Sequence, residues 1–440
     1  MPEIKLYLPG TQKIKMLQIN FIRQNAELVK ERLAVKNFGE LNLVDELISM
    51  DEEIRKQKVS TEALQANVNA ASKEIGMLMS KGETDAATQK RNDVNNWKEE
   101  LNSGKELLAK LEEDFSNKIV LLPNLPHTSV PVGKHAEDNV TVLTSRTVPT
   151  LYANAKPHWE LIKDYNLVNF ELGAKITGSG FPVYIGKGAK LQRSLIQYFL
   201  DFNIAAGYVE VMPPLLVNEA SAYGTGQLPD KEGQMYHVTA DNLFLIPTAE
   251  VPVTNMYNGE IIKENLLPIM HTAHSACFRR EAGSFGSDVR GLNRLHQFEK
   301  IEIVQITKAE NSYAALQTMV DHVEKLLQSL ELPYRILRLC GGDMSFASAI
   351  TYDFEVFSAA QQKWLEVSSV SNFETFQSNR MKIRTKDDEG KTQLLHTLNG
   401  SSLALPRIMA ALLENNQTED GINLPEVLQN YFGAKKIIKA

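Results

Sequence analysis

Apolar or tolerated residues recur at alternating spacings of three and four through Leu47, Met50, Ile54, Gln57, Thr61, Leu64, Val68, Ala71, Ile75 and Leu78. The pattern resumes through Val94, Trp97, Leu101, Gly104, Leu108, Leu111 and Phe115. That is a heptad seam, which keeps one stripe of an α-helix against a partner helix. A helix from about Leu43 to Ser80 extends roughly 55 Å at ~1.5 Å per residue. Only Lys81-Gly82-Glu83-Thr84-Asp85 separates the seams, so the second helix folds back on the first as an antiparallel hairpin. Gln57, Thr61 and Gly104 interrupt the stripe, and there the packing is expected to weaken and the arm to bend. Taken alone, such an arm is more often a dimerisation or interaction device than a nucleic-acid reader. Residues 119–150, with Pro123, Pro126, Pro131 and Pro149 among small polar residues, read as a linker.

The rest of the chain alternates strand-like and helical patterns. Ala276–Phe278 and Phe298–Ile306 read as strands joined by a loop that Gly283, Gly286 and Gly291 loosen. Arg279 closes the first strand and Glu281 follows two residues later, on the same face of an extended chain. At that spacing a guanidinium can fork onto a phosphate while the carboxylate accepts from an exocyclic amine. In Phe244–Asn255, Thr248 and Glu250 alternate with apolar neighbours and so project from one face of an extended strand, which Pro247 and Pro252 confine to an edge or strand end. Leu398–Gln417 ends a strand and opens a helix, with Asn399-Gly400-Ser401-Ser402 as turn and N-cap and Ile408–Leu413 as the helical run. Arg407 then lies near the helix start, where the backbone dipole favours anions. Each segment also has a plainer reading, as solvated ion pairs, a polar strand face or a surface arginine, and none decides the matter singly.

Composition narrows the class without choosing within it. At 440 residues there is room for two or three domains, and 43% hydrophobic with 23% charged residues is ordinary for a soluble protein. No apolar stretch reaches spanning length and no secretory start is present, so no membrane partner is expected. Cys277 and Cys340 are the only cysteines, which argues for a reducing compartment and against a disulfide framework. His271, His274 and Cys277 recur at intervals of three but do not make a zinc site, because a closed site takes four ligands and a strand would not turn all three inward. There is no GxxxxGK[ST] loop and no parallel βαβ nucleotide signature. The net charge of −7 is unexpected for a partner of nucleic acid, so any such contact must use local cations. The residues before Met16 lack the make-up of a transit peptide and read as an extension or an alternative start.

Taken together and in order, segments across residues 200–420 resemble the seryl-tRNA synthetases of the second synthetase class. Pro213-Pro214 within VEVMPPLLVN resembles that class's first motif at the dimer interface, FRRE with its loop the second, and Ser401–Gln417 the third. Thr248-Ala249-Glu250 resembles the serine enzyme's TAE, and Glu366-Val367-Ser368-Ser369 its EVSS. The resemblance implies an α+β fold, a mostly antiparallel catalytic sheet flanked by helices, with the antiparallel two-helix coiled-coil arm in front. It divides the chain into an extension at 1–15, a helical tRNA-binding arm at 16–125 and a catalytic domain at 126–440.

The implied activity is ATP-dependent activation of L-serine to the adenylate and transfer to tRNA(Ser), with tRNA(Sec) a second acceptor where the host has one. Arg279 would hold the α-phosphate and the attacking carboxylate, Glu281 the adenine amine, and Arg407 the γ-phosphate, while Phe298 would stack on the adenine. Arg280, Val367 and Ser368 complete the implied ATP set, and Glu366 and Ser369 would bind Mg2+. Thr248 and Glu250 would hold the serine ammonium, with Ala249 between them counted in the serine site, and Glu302 with Ser401 its hydroxyl; the roles of Glu250 and Glu302 are interchangeable at this point. For Glu302 the plainer reading is a strand carboxylate paired to Lys300 or Arg294. The arm would read the long variable arm of the tRNA through Lys56, Lys58, Lys73, Lys81, Lys90, Arg91 and Lys98. A cytoplasmic homodimer is implied. Ser402 and Pro406 stand where the family usually shows glycines, and Val370 where it often has cysteine. Two further readings stay open: a relative that activates an amino acid for a carrier protein, against which the full arm argues, and a non-catalytic coiled-coil tether.

Overall fold

A two-helix seam needs each stripe to find the other, and it does. The computed structural model describes residues 18–230, 233–281 and 290–439; the extension at 1–15, Met16, and Gly283 and Gly286 of the loop lie outside them. The chain falls into two compact units, one of Gln18–Ala34 and Phe38–Pro123, the other of Val35–Asn37 and the residues from Asn124 on.

In the first unit α1 (Leu43–Ser80) and α2 (Thr84–Ile119) form the hairpin. Ile54, Val68 and Ala71 of α1 and Val94 and Leu101 of α2 are buried along the seam. Its antiparallel register is marked by ion pairs of Lys58 with Glu112 at 2.6 Å and Lys90 with Glu74 at 2.8 Å, and by a third of Lys118 with Glu46. Two of the cations expected to meet phosphate, Lys58 and Lys90, thus already have acidic partners. The expectation that Gln57, Thr61 and Gly104 weaken the packing is corrected by their arrangement. They share one layer: Gln57 Nε2 donates to the Gly104 carbonyl at 3.1 Å, and a Cβ at position 104 would stand 3.1 Å from that nitrogen and 3.4 Å from Thr61 Oγ1. The missing side chain makes room for the two polar ones, and Thr61 returns its hydroxyl hydrogen to the Gln57 carbonyl of its own helix at 2.7 Å.

The second unit is built on an eight-stranded sheet of β1 (Val140–Ser145), β2 (Val209–Glu210), β3 (Ile269–Phe278), β4 (Gln297–Thr307), β5 (Tyr334–Arg338), β6 (Ile350–Ser358), β7 (Lys363–Glu374) and β8 (His396–Ala404). The spatial order is β1-β5-β6-β7-β8-β4-β3-β2, antiparallel throughout except for the short edge strand β2 along β3. Its helices include α3 (His158–Asp164), α4 (Lys187–Ala205), α5 (Glu250–Asn255), α6 (Ser312–Ser329) and α7 (Leu405–Asn415). Alternation divides the sheet. Ile301, Ile303, Phe354, Val367 and Leu398 join Leu191, Phe199, Leu316, Val323 and Met409 of α4, α6 and α7 in one apolar core. The polar positions of β4, β7 and β8 are left to the other face. The linker reading of 119–150 needs correction here, since Val140–Ser145 is an edge strand and Leu122 and Leu125 are buried. The β-branched run VTVLT was masked by the prolines on either side of it. Among the described residues no helix is long and apolar enough to cross a membrane.

Candidate active site

The polar face of the sheet carries a cavity of about 630 Å3. Its wall includes Arg279 and Glu281 after β3, Phe298 and Glu302 of β4, Glu366, Val367, Ser368 and Ser369 of β7, Ser401 of β8, Arg407 of α7, Thr248 just before α5 and Glu250 at its start. Residues more than a hundred positions apart are thereby brought together. Two expected members are not in the wall. Ala249 is fully buried against Val253, Ala273 and Val304, because its neighbours on either side take the cavity-facing positions. Arg280 is exposed and gives its backbone N–H to the Gln234 carbonyl at 3.0 Å, since the chain leaving β3 turns Arg279 inward and the next side chain out.

Local geometry differs from the sequence reading at four places. Thr248 and Glu250 do not alternate on a strand: Glu250 opens α5, with Pro252 in the first turn where proline is tolerated. Glu281 has φ +49°, so it is not extended; its carboxylate accepts from Arg294 at 2.9 Å. Asn399–Ser402 lie within β8 rather than in a turn, and the helix starts only at Leu405, with Pro406 in its first turn ahead of Arg407. In β7 the register slips at Val367, where Glu355 faces Glu366 and Phe354 faces Ser368. That bulge matters because Glu366 and Ser369, three apart, would otherwise point to opposite faces.

Inside the cavity the groups are linked. Lys300, on the same strand face as Glu302, places Nζ 2.6 Å from Glu302 Oε2 and donates to Thr248 Oγ1 at 2.8 Å. Asn399 Nδ2 donates to Glu302 Oε1 at 3.0 Å, and Ser401 Oγ lies 3.5 Å from Oε2. The plainer pairing of Glu302 with Lys300 is therefore present, inside the cavity. Gln377 donates to Glu250 Oε1 at 2.6 Å, and burial, with the Glu302 charge adding to it, pushes the Glu250 carboxyl up to about 7. Ser369 gives its hydroxyl hydrogen to Asp353, a buried carboxyl that burial and then Glu366 hold well above its ordinary range. Arg279 stacks its guanidinium 5.4 Å from the Phe298 ring centre. Arg407 donates from Nε to the Asn293 carbonyl at 2.9 Å and from Nη1 to that of Glu366 at 2.7 Å.

Lys300, Asn293, Gln377, Asp353 and Asn399 were missed as members of this network. The Phe298-Lys300-Glu302 alternation was a usable signal for Lys300. Gln377 and Asp353 gave none, because their partners, Glu250 and Ser369, lie on other elements far along the chain or across a strand pair. His271 and His274 each have other partners, the Tyr257 hydroxyl and Glu299.

Residues 16–126 match the model of the seryl-tRNA synthetase N-terminal domain, and 236–416 that of the class II tRNA synthetase core domain of the G, H, P, S and T enzymes. The serine–tRNA ligase of Salinibacter ruber is 48% identical over 96% of this chain and 99% of its own length, and that of Methylacidiphilum infernorum 47% over 95% and 99%. In structure the chain is similar to seryl-tRNA synthetase from Pyrococcus horikoshii complexed with ATP, with a TM-score of 0.90 at 32% identity, covering 97% of this chain and all of that one. It is similar also to the cytoplasmic serine–tRNA ligase of Naegleria fowleri in complex with AMP, with a TM-score of 0.85 at 25% identity over 96% and 99%. With identity near one half across almost the entire length of both chains, and both domain models matched in order, this chain belongs to the seryl-tRNA synthetases of the second synthetase class.

Proposed function

We propose that the cavity carries out both steps of serine–tRNA ligation with the following division of labour. The observation that carries it is the convergence of Arg279, Glu302, Glu366 and Arg407, from separate segments, on one wall. Arg279 binds the α-phosphate and the serine carboxylate side by side, so that a carboxylate oxygen attacks phosphorus as pyrophosphate leaves on the opposite side. Arg407 takes the γ-phosphate at the far end, Glu281 orients the adenine amine once it leaves Arg294, and Phe298 offers its ring to the base. Val367 and Ser368 contribute backbone and wall beneath the nucleotide.

Glu250 and Thr248 receive the serine ammonium, while Glu302 and Ser401 receive the hydroxyl. A buried carboxylate already held by Lys300 and Asn399 rejects alanine, which would leave it short of a donor. The second step passes the seryl group from the adenylate to a terminal ribose hydroxyl of tRNA, releasing AMP.

The donor set also suits Mg2+. Ser369 commits its hydrogen to Asp353, which leaves oxygen lone pairs free, and Glu366 supplies an exposed carboxylate on the same wall. These are the hard oxygens magnesium prefers. Bound there, the ion would neutralise phosphate charge.

The N-terminal arm holds tRNA(Ser) through Lys56, Lys73, Lys81, Arg91 and Lys98, with Lys58 and Lys90 freed from their acids on binding. The partner surface of a homodimer runs along β2 and Pro213-Pro214, where Val209, Leu215, Leu216 and above all Met212, 88% exposed, leave apolar surface uncovered. The two free thiols, both buried, suit a cytoplasmic workplace. Pyrophosphate exchange with a panel of amino acids tests the reading: exchange with serine alone is expected, and silence from folded protein with every amino acid would refute it.

A further inference from the structure

Behind the phosphate end of the cavity lies a buried polar chain that the reaction does not use directly. Glu414, near the end of α7, and His158, at the start of α3, are both fully buried, with His158 Nδ1 2.7 Å from Glu414 Oε1. The same oxygen accepts the His158 backbone N–H at 2.8 Å, and Ser358 donates to the other oxygen. Burial alone would raise the Glu414 carboxyl, but hydrogen bonds from His158 and Ser358 bring it below its ordinary range. On the far side of the ring, Nε2 accepts the Leu292 backbone N–H at 2.9 Å, which leaves Nδ1 to carry the hydrogen that Glu414 accepts.

A carboxylate only accepts, and this fixes the sense of every amide downstream. Gln361 must turn its Nε2 to Glu414, at 3.0 Å, and to Ser358 Oγ, at 2.8 Å. Its Oε1 therefore faces Asn293, whose Nδ2 donates at 3.0 Å. Asn293 Oδ1 is left buried and, among the described residues, without a partner, on a residue in the cavity wall. The backbone carbonyl of that same Asn293 receives Nε of Arg407. Glu414 and Arg407 sit at opposite ends of one helix, so the chain of bonds closes a loop from α7 through Gln361 back to α7.

We propose that Glu414, with His158 and Gln361, is a positioning element for nucleotide binding: it fixes the course of Leu292 and Asn293 and through them presents Arg407 to the ATP phosphates. The inference rests on the assignment of Arg407 to ATP made above. It separates a residue that touches the nucleotide from three that act through it.

The test is a double-mutant cycle in pyrophosphate exchange, using Gln361→Met, Arg407→Ala and the pair. Gln361→Met is expected to raise the KM for ATP about 10-fold, leaving the KM for serine within about twofold. The pair should be no worse than Arg407→Ala alone, a coupling that a merely structural role would not produce. Glu414→Gln, which keeps shape and removes the anchoring charge, should repeat the KM split should Gln361→Met fold poorly. A rise in both KM values alike, or effects that multiply in the double variant, would overturn the proposal. Were Arg407→Ala itself to leave the KM for ATP unchanged, the assignment of Arg407 would fall instead.

Discussion

Glu250 offers the sharpest test of the proposed serine recognition, because its charge is set by its surroundings. The carboxyl is 6% exposed, and burial together with the Glu302 charge moves it from 4.5 up to about 7. If the ionised form receives the serine ammonium, only that fraction of the enzyme binds well. A group titrating near 7 is ionised in roughly a tenth of molecules at pH 6 and nine-tenths at pH 8. The KM for serine, measured by pyrophosphate exchange at saturating ATP, should therefore fall about 10-fold between those values and flatten above. Glu250→Gln preserves size and still accepts from Gln377, so the fold should persist. The variant loses a charge-assisted bond of about 1.5–3 kcal/mol, or roughly 10- to 150-fold in KM at pH 8, and with it the slope. Because the variant carries every other titration in the assay, ATP's included, the difference between the two curves isolates this carboxyl. A wild-type KM that stays level from pH 6 to 8, or an equal slope in the variant, would refute the argument.

Other expectations follow from the same geometry. Arg279→Ala should lower exchange about 1,000-fold, the scale of losing one preorganised donor at a developing charge, and near-normal exchange would remove its role. Deleting Leu43 to Phe115 should leave exchange within about twofold while tRNA charging disappears, and the intact enzyme's affinity for tRNA should drop steeply with salt; equal loss of both steps would count against a separate recognition arm. Glu374, buried beside the Tyr313 hydroxyl that donates to it, is also pushed up to about 7. The folded state then holds its proton more tightly than the unfolded one, so stability is retained below about 4.5 and lost as pH rises towards 7. At ~1.4 kcal/mol per unit, that loss is on the order of 3 kcal/mol. Glu374→Gln keeps the tyrosine's acceptor and should flatten the fall in melting temperature over that range; parallel curves for the two proteins would argue otherwise.

Much of the architecture was legible because it is periodic. A seam that repeats every seven residues can be satisfied only by a partner helix, and a five-residue break leaves only one direction for it, which is why α1 ends where the pattern does. The β3–β4 hairpin was open only in part: its glycine-rich loop marked the reversal, but the reading caught only Ala276–Phe278 of β3, because His271, Thr272, His274 and Ser275 interrupt the apolar pattern before it. Elements defined by contrast with their neighbours were harder. Val140–Ser145 is a strand because β5 lies beside it, a long-range partner that no local window contains, and the flanking prolines pointed the other way. The polar seam residues illustrate the same limit within one helix pair: Gln57 and Gly104 look like separate defects until the register sets them opposite each other.

The cavity was legible in its members and not in its connections. The family resemblance named the residues that converge, but β7 bears Glu366 and Ser369 on one face only because the strand slips by a residue at Val367, and a strict alternation would have separated them. Lys300 makes the point electrostatically. As a sequence neighbour it was the ordinary partner of Glu302, an alternative to function; in the fold it bridges Glu302 to Thr248 inside the pocket, so the structural pairing lies within the proposed recognition site. Its ammonium stands where a bound amino acid would bring a second positive charge, close to Glu250, whose buried carboxyl gives up its proton only near neutrality. On the proposed assignment, serine recognition becomes a balance of two carboxyls and one fixed cation, in which the substrate's own charge would tip Glu250 into its ionised form.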